Sequence, residues 1–453
     1  MQVSLKPATR NSRGPSRGIR AFANAVVVVT FMSTCLSPAR LVAQRPLGAQ
    51  NQDQSAYALG SFALNVIFVE SDGSIDPNQE DWTPGQLTEI QTKIGQAASF
   101  WEGLTASYHP NAQLDVTVNY VNGGVPMDTG YEPITHRGYP DSRLWINQVL
   151  GSLGYASSDA NVNTRNFNND QRDALGTHWV TTLYVVNDAV DSDHKFSDGY
   201  FAFSNYGGPY VVTTYNNDGW GPSRYERVLS HELGHVFFAL DEYYASGARN
   251  TARSGYLDGI NGNAERNAQN QRVTPPQPNA LMLNTTLAPS EFTSVQIGHL
   301  DSDGDSIPDI LDTIPQIIGG QLSSDADAGI FGFSGLGSVN PMENRNRKVW
   351  AESGSWMTIN TIDFASYNLD GQGWMDFPAA DGAYGDYFET LDLELTGLAL
   401  GLHTIDIRIT NSVGNHSDVS SFELFVTPEP GTLCVLCAGA MICLNTKRKD
   451  LTR

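Results

Sequence analysis

The string HELGHVFFALDEYY, residues 231–244, constrains this chain more than any other. His231 and His235 stand four apart, about 400° around an α-helix, so both imidazoles leave one face about 6 Å apart along the axis. Two nitrogens placed in this way reach one Zn²⁺. Glu232 lies beside them, where it can hold a water that zinc acidifies to a pKa of about 7. RYERVLSHELGHVFFAL reads as one helix over 224–240. A catalytic zinc takes three protein ligands and keeps one position open. Asp241, six residues past His235, sits about 600° further around a continued helix and would face away. It reaches the metal only if the helix ends near Phe238–Ala239 and the chain folds back. Glu242 competes for the same role.

Strands and helices alternate ahead of this motif. FALNVIFVES (62–71) is strand-like. Thr83-Pro84 opens a helix over 83–108, with Leu87, Ile90, Ile94, Ala97, Ala98 and Trp101 at helical spacing. QLDVTVNYV (113–121) alternates as a strand does, 143–154 is helical, and WVTTLYVVN (179–187) is a strand. YFAFSNYGGPYVVTTYN (200–216) reads as a hairpin around Gly207-Gly208-Pro209. That order predicts a sheet layered with helices. Between 325 and 427 the pattern changes to short strands punctuated by Gly, Asp and Asn, as in a β-sandwich. The expected fold class is α+β: a catalytic domain over 57–300, then a sandwich over 325–427.

The motif with an acidic residue six positions beyond its second histidine resembles the metzincin zinc peptidases, whose H-E-x-x-H-x-x-G-x-x-H places the third ligand at that offset. Asp in the last position is similar to the snapalysin-like branch. The resemblance implies His231, His235 and Asp241 as zinc ligands, in preference to Glu242, and Glu232 as general base. It also implies a Met-turn beneath the metal, for which PNALMLN (278–284) offers Met282. Phe238 departs from the family, which has Gly there; Phe enters the left-handed conformation at a cost that Gly escapes. Tyr243 and Tyr244 either pack on the helix end or donate to an oxyanion. YFAFSNY (200–206) is a candidate edge strand for an extended peptide. The activity so implied is hydrolysis of protein or peptide substrates. An adhesion or matrix protein with an inactive protease fold is the alternative, and zinc hydrolysis of non-peptide substrates is also compatible with the motif.

DSDGDSIPDILD (301–312) sets Asp301, Asp303, Asp305, Asp309 and Asp312 at the spacing that converges oxygens on one Ca²⁺. It resembles the calcium loops of thrombospondin type 3 repeats, so a calcium-binding loop is expected over 301–314, at the junction with the sandwich. LTGLALGLHTIDIRITNSVGN (395–415) resembles bacterial immunoglobulin-like modules, which implies a fold and no activity.

Composition fits this picture. Residues 46–427 hold 47 acidic and 16 basic side chains, a body that repels nucleic acid and anionic membranes. Cys35, Cys434, Cys437 and Cys443 all lie near the ends, so the body has neither a structural disulfide nor a catalytic thiol. Residues 1–43 carry a basic start, the apolar run 21–36 and small residues before Ala39 and Ala43, the order of a signal peptide. A Gln-rich linker over 44–56 follows. Residues 428–453, with Pro428-Glu429-Pro430, a short apolar stretch and Lys447-Arg448-Lys449, resemble the PEP-CTERM sorting tail of bacterial envelope proteins. The resemblance implies an envelope sorting machinery as partner. Membrane contact would be confined to the two ends, and the body would be exported to the envelope, cell surface or exterior.

Overall fold

The computed structural model describes residues 44–274 and 279–428. The signal peptide and all but the first residue of the sorting tail lie outside them, and no helix among the described residues is long and apolar enough to cross a membrane. The architecture is mixed α/β, with several sheets.

The N-terminal part runs β1 (Gly60–Ser71), α1 (Pro84–Leu104), β2 (Leu114–Tyr120), β3 (Met127–Thr129), α2 (Ser142–Ser152), α3 (Ala160–Leu175), β4 (Trp179–Val186), β5 (Ala202–Ser204), β6 (Tyr210–Thr214) and α4 (Tyr225–Val236). A small hairpin follows, β7 (Arg253–Ser254) and β8 (Gly259–Ile260), then the short helices α5 (Leu281–Asn284) and α6 (Glu291–Gln296). The main sheet has the order β2-β1-β4-β6-β5, with β3 also on β1. All its ladders are parallel except β5–β6. Helices cover both faces, and β1 shows why its sequence is largely apolar on both. Phe62, Leu64, Val66 and Phe68 join one core with α1 and α4; Ile67 and Val69 join another with α2 and α3.

α1 starts where its sequence says. Thr83 Oγ1 accepts the Gln86 N–H, Gln86 Oε1 accepts the Thr83 N–H, and Pro84 takes the first helical position. α3 has no counterpart in the sequence reading, because its buried face is largely polar. Asn168 Nδ2 donates to Gln54 Oε1 and to the Pro209 carbonyl, and Arg172 donates to the Asp53 carbonyl. A period of apolar residues does not find such a helix; its caps, Asp159 and Gly176, were the available signal.

Residues 44–56, read as a linker from their composition, are packed into the body. Leu47 bridges to Thr358, the Val180 N–H donates to the Gln54 carbonyl (2.7 Å), and Asp53, Gln54 and Ser55 are buried.

The C-terminal part contains β9 (Gln316–Leu322), β10 (Phe331–Ser338), β11 (Met342–Glu343), β12 (Trp356–Met357), β13 (Ile362–Leu369), β14 (Trp374–Phe377), β15 (Phe388–Leu395), β16 (Gly401–Asn411) and β17 (Ser420–Val426). Sheets β15-β10-β9 and β14-β13-β16-β17 share one core, with Phe333 and Leu391 from the first and Ile405 and Ile407 from the second. This is a sandwich-like pair, and the alternating burial of β15 is its signature.

Candidate metal centre

α4 is shorter than its apolar pattern, and the reason lies in its last turn. The Phe238 N–H donates to the His235 carbonyl (2.9 Å) and the Ala239 N–H to the Gly234 carbonyl (2.9 Å), with Phe238 left-handed at φ 69°. This is a Schellman termination with Phe where Gly is usual. The Phe238 ring lies against Gly207, where a Cβ would come within 2.4 Å of its Cζ. Packing of the ring thus holds a backbone conformation that Phe disfavours. The chain then reverses. Leu240 N–H donates to Gln296 Oε1 and Glu242 N–H to the Met282 carbonyl, both at 2.8 Å.

The reversal brings Asp241 to the histidines. Its Oδ1 lies 3.2 Å from His231 Nε2 and 3.3 Å from His235 Nε2. Each imidazole is aimed from behind: Nδ1 of His231 meets the Leu281 carbonyl at 2.9 Å and Nδ1 of His235 the Ala239 carbonyl at 2.8 Å. A carbonyl only accepts, so the proton sits on Nδ1 and the Nε2 lone pair faces the centre. Three acceptors then converge, and Asp241 Oδ1 is buried without a hydrogen-bond partner. A cation resolves this. Tetrahedral ligands about 2.0–2.1 Å from zinc stand about 3.3 Å apart, so the observed edges fit. A proton is the other solution. Burial opposes the charged imidazole, but Asp241 and Glu232 outweigh it and push His235 up to about 9. Burial works against the Asp241 carboxylate as well, yet the two histidines hold it well below its usual range.

Glu232 sits on the same helix, and its Oε2 is 2.9 Å from the Ser204 hydroxyl of β5. The same hydroxyl is 2.9 Å from the Glu232 carbonyl, so β5 is fastened to α4 at this residue. Tyr206 stands edge-on to His235, ring centroids 5.4 Å apart, and Tyr243 lies 6.5 Å from the His231 ring. Burial first, then the charges of Asp241 and Glu232, raise both phenols well above their usual range, so both remain donors. Ser204 and Tyr206 were not singled out from the sequence; a hairpin reading does not say which face of its edge strand meets the helix.

The remaining predicted residues separate. Glu242 turns from the histidines, and its Oε1 accepts from the Ser290 and Thr293 hydroxyls. Met282 is fully buried, with its Sδ 2.7 Å from where a Gly234 Cβ would stand, so the sulfur packs on the helix between the two histidines. Tyr244 is engaged by the Arg266 guanidinium, 4.3 Å from its ring. In the acidic loop, Asp301, Asp303 and Asp305 bring carboxylate oxygens within 4.8 Å of one another. Asp309 instead accepts the Ser302 N–H, and Asp312 the Asn415 amide. Ile310 and Leu311 of this loop are buried in the same core as α1 and α4.

No family model and no curated protein matches the chain. Among solved structures, the sulfane dehydrogenase SoxCD from Paracoccus pantotrophus is similar over 26% of this chain and 31% of that one, at 11% identity and a TM-score of 0.17. Astrotactin-2, a vertebrate-specific protein, is similar over 29% of this chain and 24% of that one, at 11% identity and a TM-score of 0.18. The fourth FNIII domain of a human protein covers 26% of this chain and 78% of its own length, at 15% identity and a TM-score of 0.14. The chain thus spans about a third and a quarter of the first two. The centre stands on its own geometry: two imidazoles and a carboxylate around one point, with Glu232 beside them.

Proposed function

We propose that this protein is an exported, zinc-dependent endopeptidase of metzincin-like design. The observation that carries the reading is the convergence of His231 Nε2, His235 Nε2 and Asp241 Oδ1 on one point, with the far nitrogen of each imidazole engaged by a backbone carbonyl. These three residues would hold the ion. Bound there, zinc would supply a Lewis acid that acidifies water and polarises a carbonyl. Glu232 is the base. Its carboxylate, steadied by Ser204, takes one proton from the attacking water and passes it to the amine nitrogen as the C–N bond breaks. The Tyr206 and Tyr243 rings stand beside the two histidines, and their phenols would supply donors to the developing oxyanion. β5 is the outer strand of its sheet, so its free edge can pair with an extended peptide.

The leader and the sorting tail give the proposed address, the cell envelope or exterior. Asp301, Asp303 and Asp305 give the proposed calcium site, and the C-terminal sandwich is the proposed immunoglobulin-like module. The function is tested with Glu232→Ala. Elemental analysis should find zinc retained, because Glu232 is not a ligand, while chelator-sensitive casein hydrolysis falls at least a hundredfold. Undiminished hydrolysis in this variant refutes the mechanism. Bound zinc with no hydrolysis by the unaltered protein favours the adhesion reading.

A further inference from the structure

The two parts of the chain meet beside the metal centre. The loop 344–355, between β11 and β12, belongs to the C-terminal part but is fastened to the N-terminal one. The Gly354 N–H donates to Asp53 Oδ2 (2.7 Å), the Arg345 N–H to the Tyr256 carbonyl (2.9 Å), and the Arg347 guanidinium to Asp258 Oδ2 (2.8 Å). The loop is also tied to itself. The Asn344 N–H donates to the Ser355 carbonyl (2.7 Å), and the Lys348 N–H to Oδ1 of the buried Asn346 (3.0 Å). Its crest sets the Lys348 ammonium 5.2 Å from the centre of the Tyr206 ring. That ring is the one standing edge-on to His235. The ammonium is therefore a single aromatic ring away from a metal ligand.

Beyond that ring, its charge has no ion-pair partner among the described residues. Arg345 is paired with Glu343 and Arg347 with Asp258, whereas Lys348 has no carboxylate partner among the described residues and its side chain is exposed. In a body with 47 acidic and 16 basic residues, carboxylates are the commoner neighbour. We propose that Lys348 is a specificity-determining residue that selects peptides carrying Asp or Glu within a few residues of the bond cleaved. This rests on the peptidase reading above. An exposed ammonium near one rim of a cleft attracts a carboxylate modestly, and salt screens it.

The test is a set of otherwise uncharged peptides in which one Glu, or Gln as its control, is walked through the positions on both sides of the cleaved bond. The zinc-loaded protein should prefer Glu to Gln at one or two positions by roughly three- to tenfold in kcat/KM, less at high salt. Lys348→Ala should bring that ratio to about one, and Lys348→Glu should invert it. Arg345→Ala, on the same loop but turned to Glu343, should leave the ratio in place. A Glu/Gln ratio that survives in Lys348→Ala, or is flat in the unaltered protein while hydrolysis proceeds, overturns this inference alone. Failure of the zinc-loaded protein to cleave any peptide overturns the peptidase reading and this inference with it.

Discussion

Phe238→Gly replaces the left-handed residue of the turn that ends α4, and two opposing effects decide its outcome. At φ 69°, Phe238 carries left-handed strain of about 1–2 kcal/mol that Gly would remove. Gly would also lose about 0.5–1 kcal/mol through the greater freedom of its unfolded chain. The ring itself is 5% exposed, and removing so buried a phenyl group costs about 3–5 kcal/mol. Burial wins, and the variant should be less stable by about 2–4 kcal/mol in urea unfolding of the metal-free protein. The partner residue sharpens the test. Gly207→Ala sets a Cβ within 2.4 Å of Phe238 Cζ, at a position whose own φ is 73°, and should destabilise strongly. In the Phe238→Gly background the overlap is gone, leaving only the backbone strain of Ala, about 1–2 kcal/mol. The two substitutions should therefore be non-additive, the double variant losing less than the sum of the singles. A Phe238→Gly protein as stable as the parent, or strict additivity, refutes the account of this turn.

Asp241→Asn should lower zinc occupancy at neutral pH far more than Glu242→Gln, since only Asp241 faces the histidines; elemental analysis decides, and the reverse order would displace Asp241 as ligand. Replacing Asp301, Asp303 and Asp305 with Asn should abolish the rise in melting temperature on adding calcium while leaving zinc bound; an unchanged calcium shift would remove the loop from the calcium reading. Burial, opposed in part by the hydrogen bond to the Ala58 carbonyl, lowers His299 to about 4. The unfolded chain, with an ordinary imidazole, binds this proton more readily, so the stability from a neutral His299 is full above about pH 6.5 and is lost as pH falls towards 4. The loss is at most about 3 kcal/mol, and His299→Gln should flatten the pH dependence of unfolding across that window; an unchanged slope would refute it.

The sequence made the metal centre legible because four-residue spacing on a helix is a rigid constraint, and His231, Glu232 and His235 fall on α4 as that spacing requires. The main strands were legible because β1 and β4 are buried on both faces and read as apolar runs with few polar interruptions, Asn65 in β1 and Thr181-Thr182 in β4. α3 escaped because its packing is done by Asn and Arg, and the 44–56 segment because a Gln-rich string reads as solvated until Asp53 is seen holding the Gly354 N–H and Gln54 the Val180 N–H. Ser204 and Tyr206 needed the third dimension, as did the loop carrying Lys348, which reaches the centre from over a hundred residues downstream.

The bond from Gly354 to Asp53 joins residues 301 apart in sequence, and Asp53 is buried. A chain that emerges N-terminus first makes Asp53 long before Gly354, and contacts so distant along the chain form late. The loop that bears Lys348 is thus the last piece to arrive beside the His231–His235–Asp241 cluster. Until residues 344–355 have docked, the Tyr206 ring beside His235 lacks the Lys348 ammonium, so formation of the cluster and arrival of that charge become separable in time. The sandwich-bearing part is then a finishing piece rather than a detachable appendage, and shortening the chain after residue 300 would leave Asp53 Oδ2 only the Gln50 N–H and remove Lys348 from beside Tyr206.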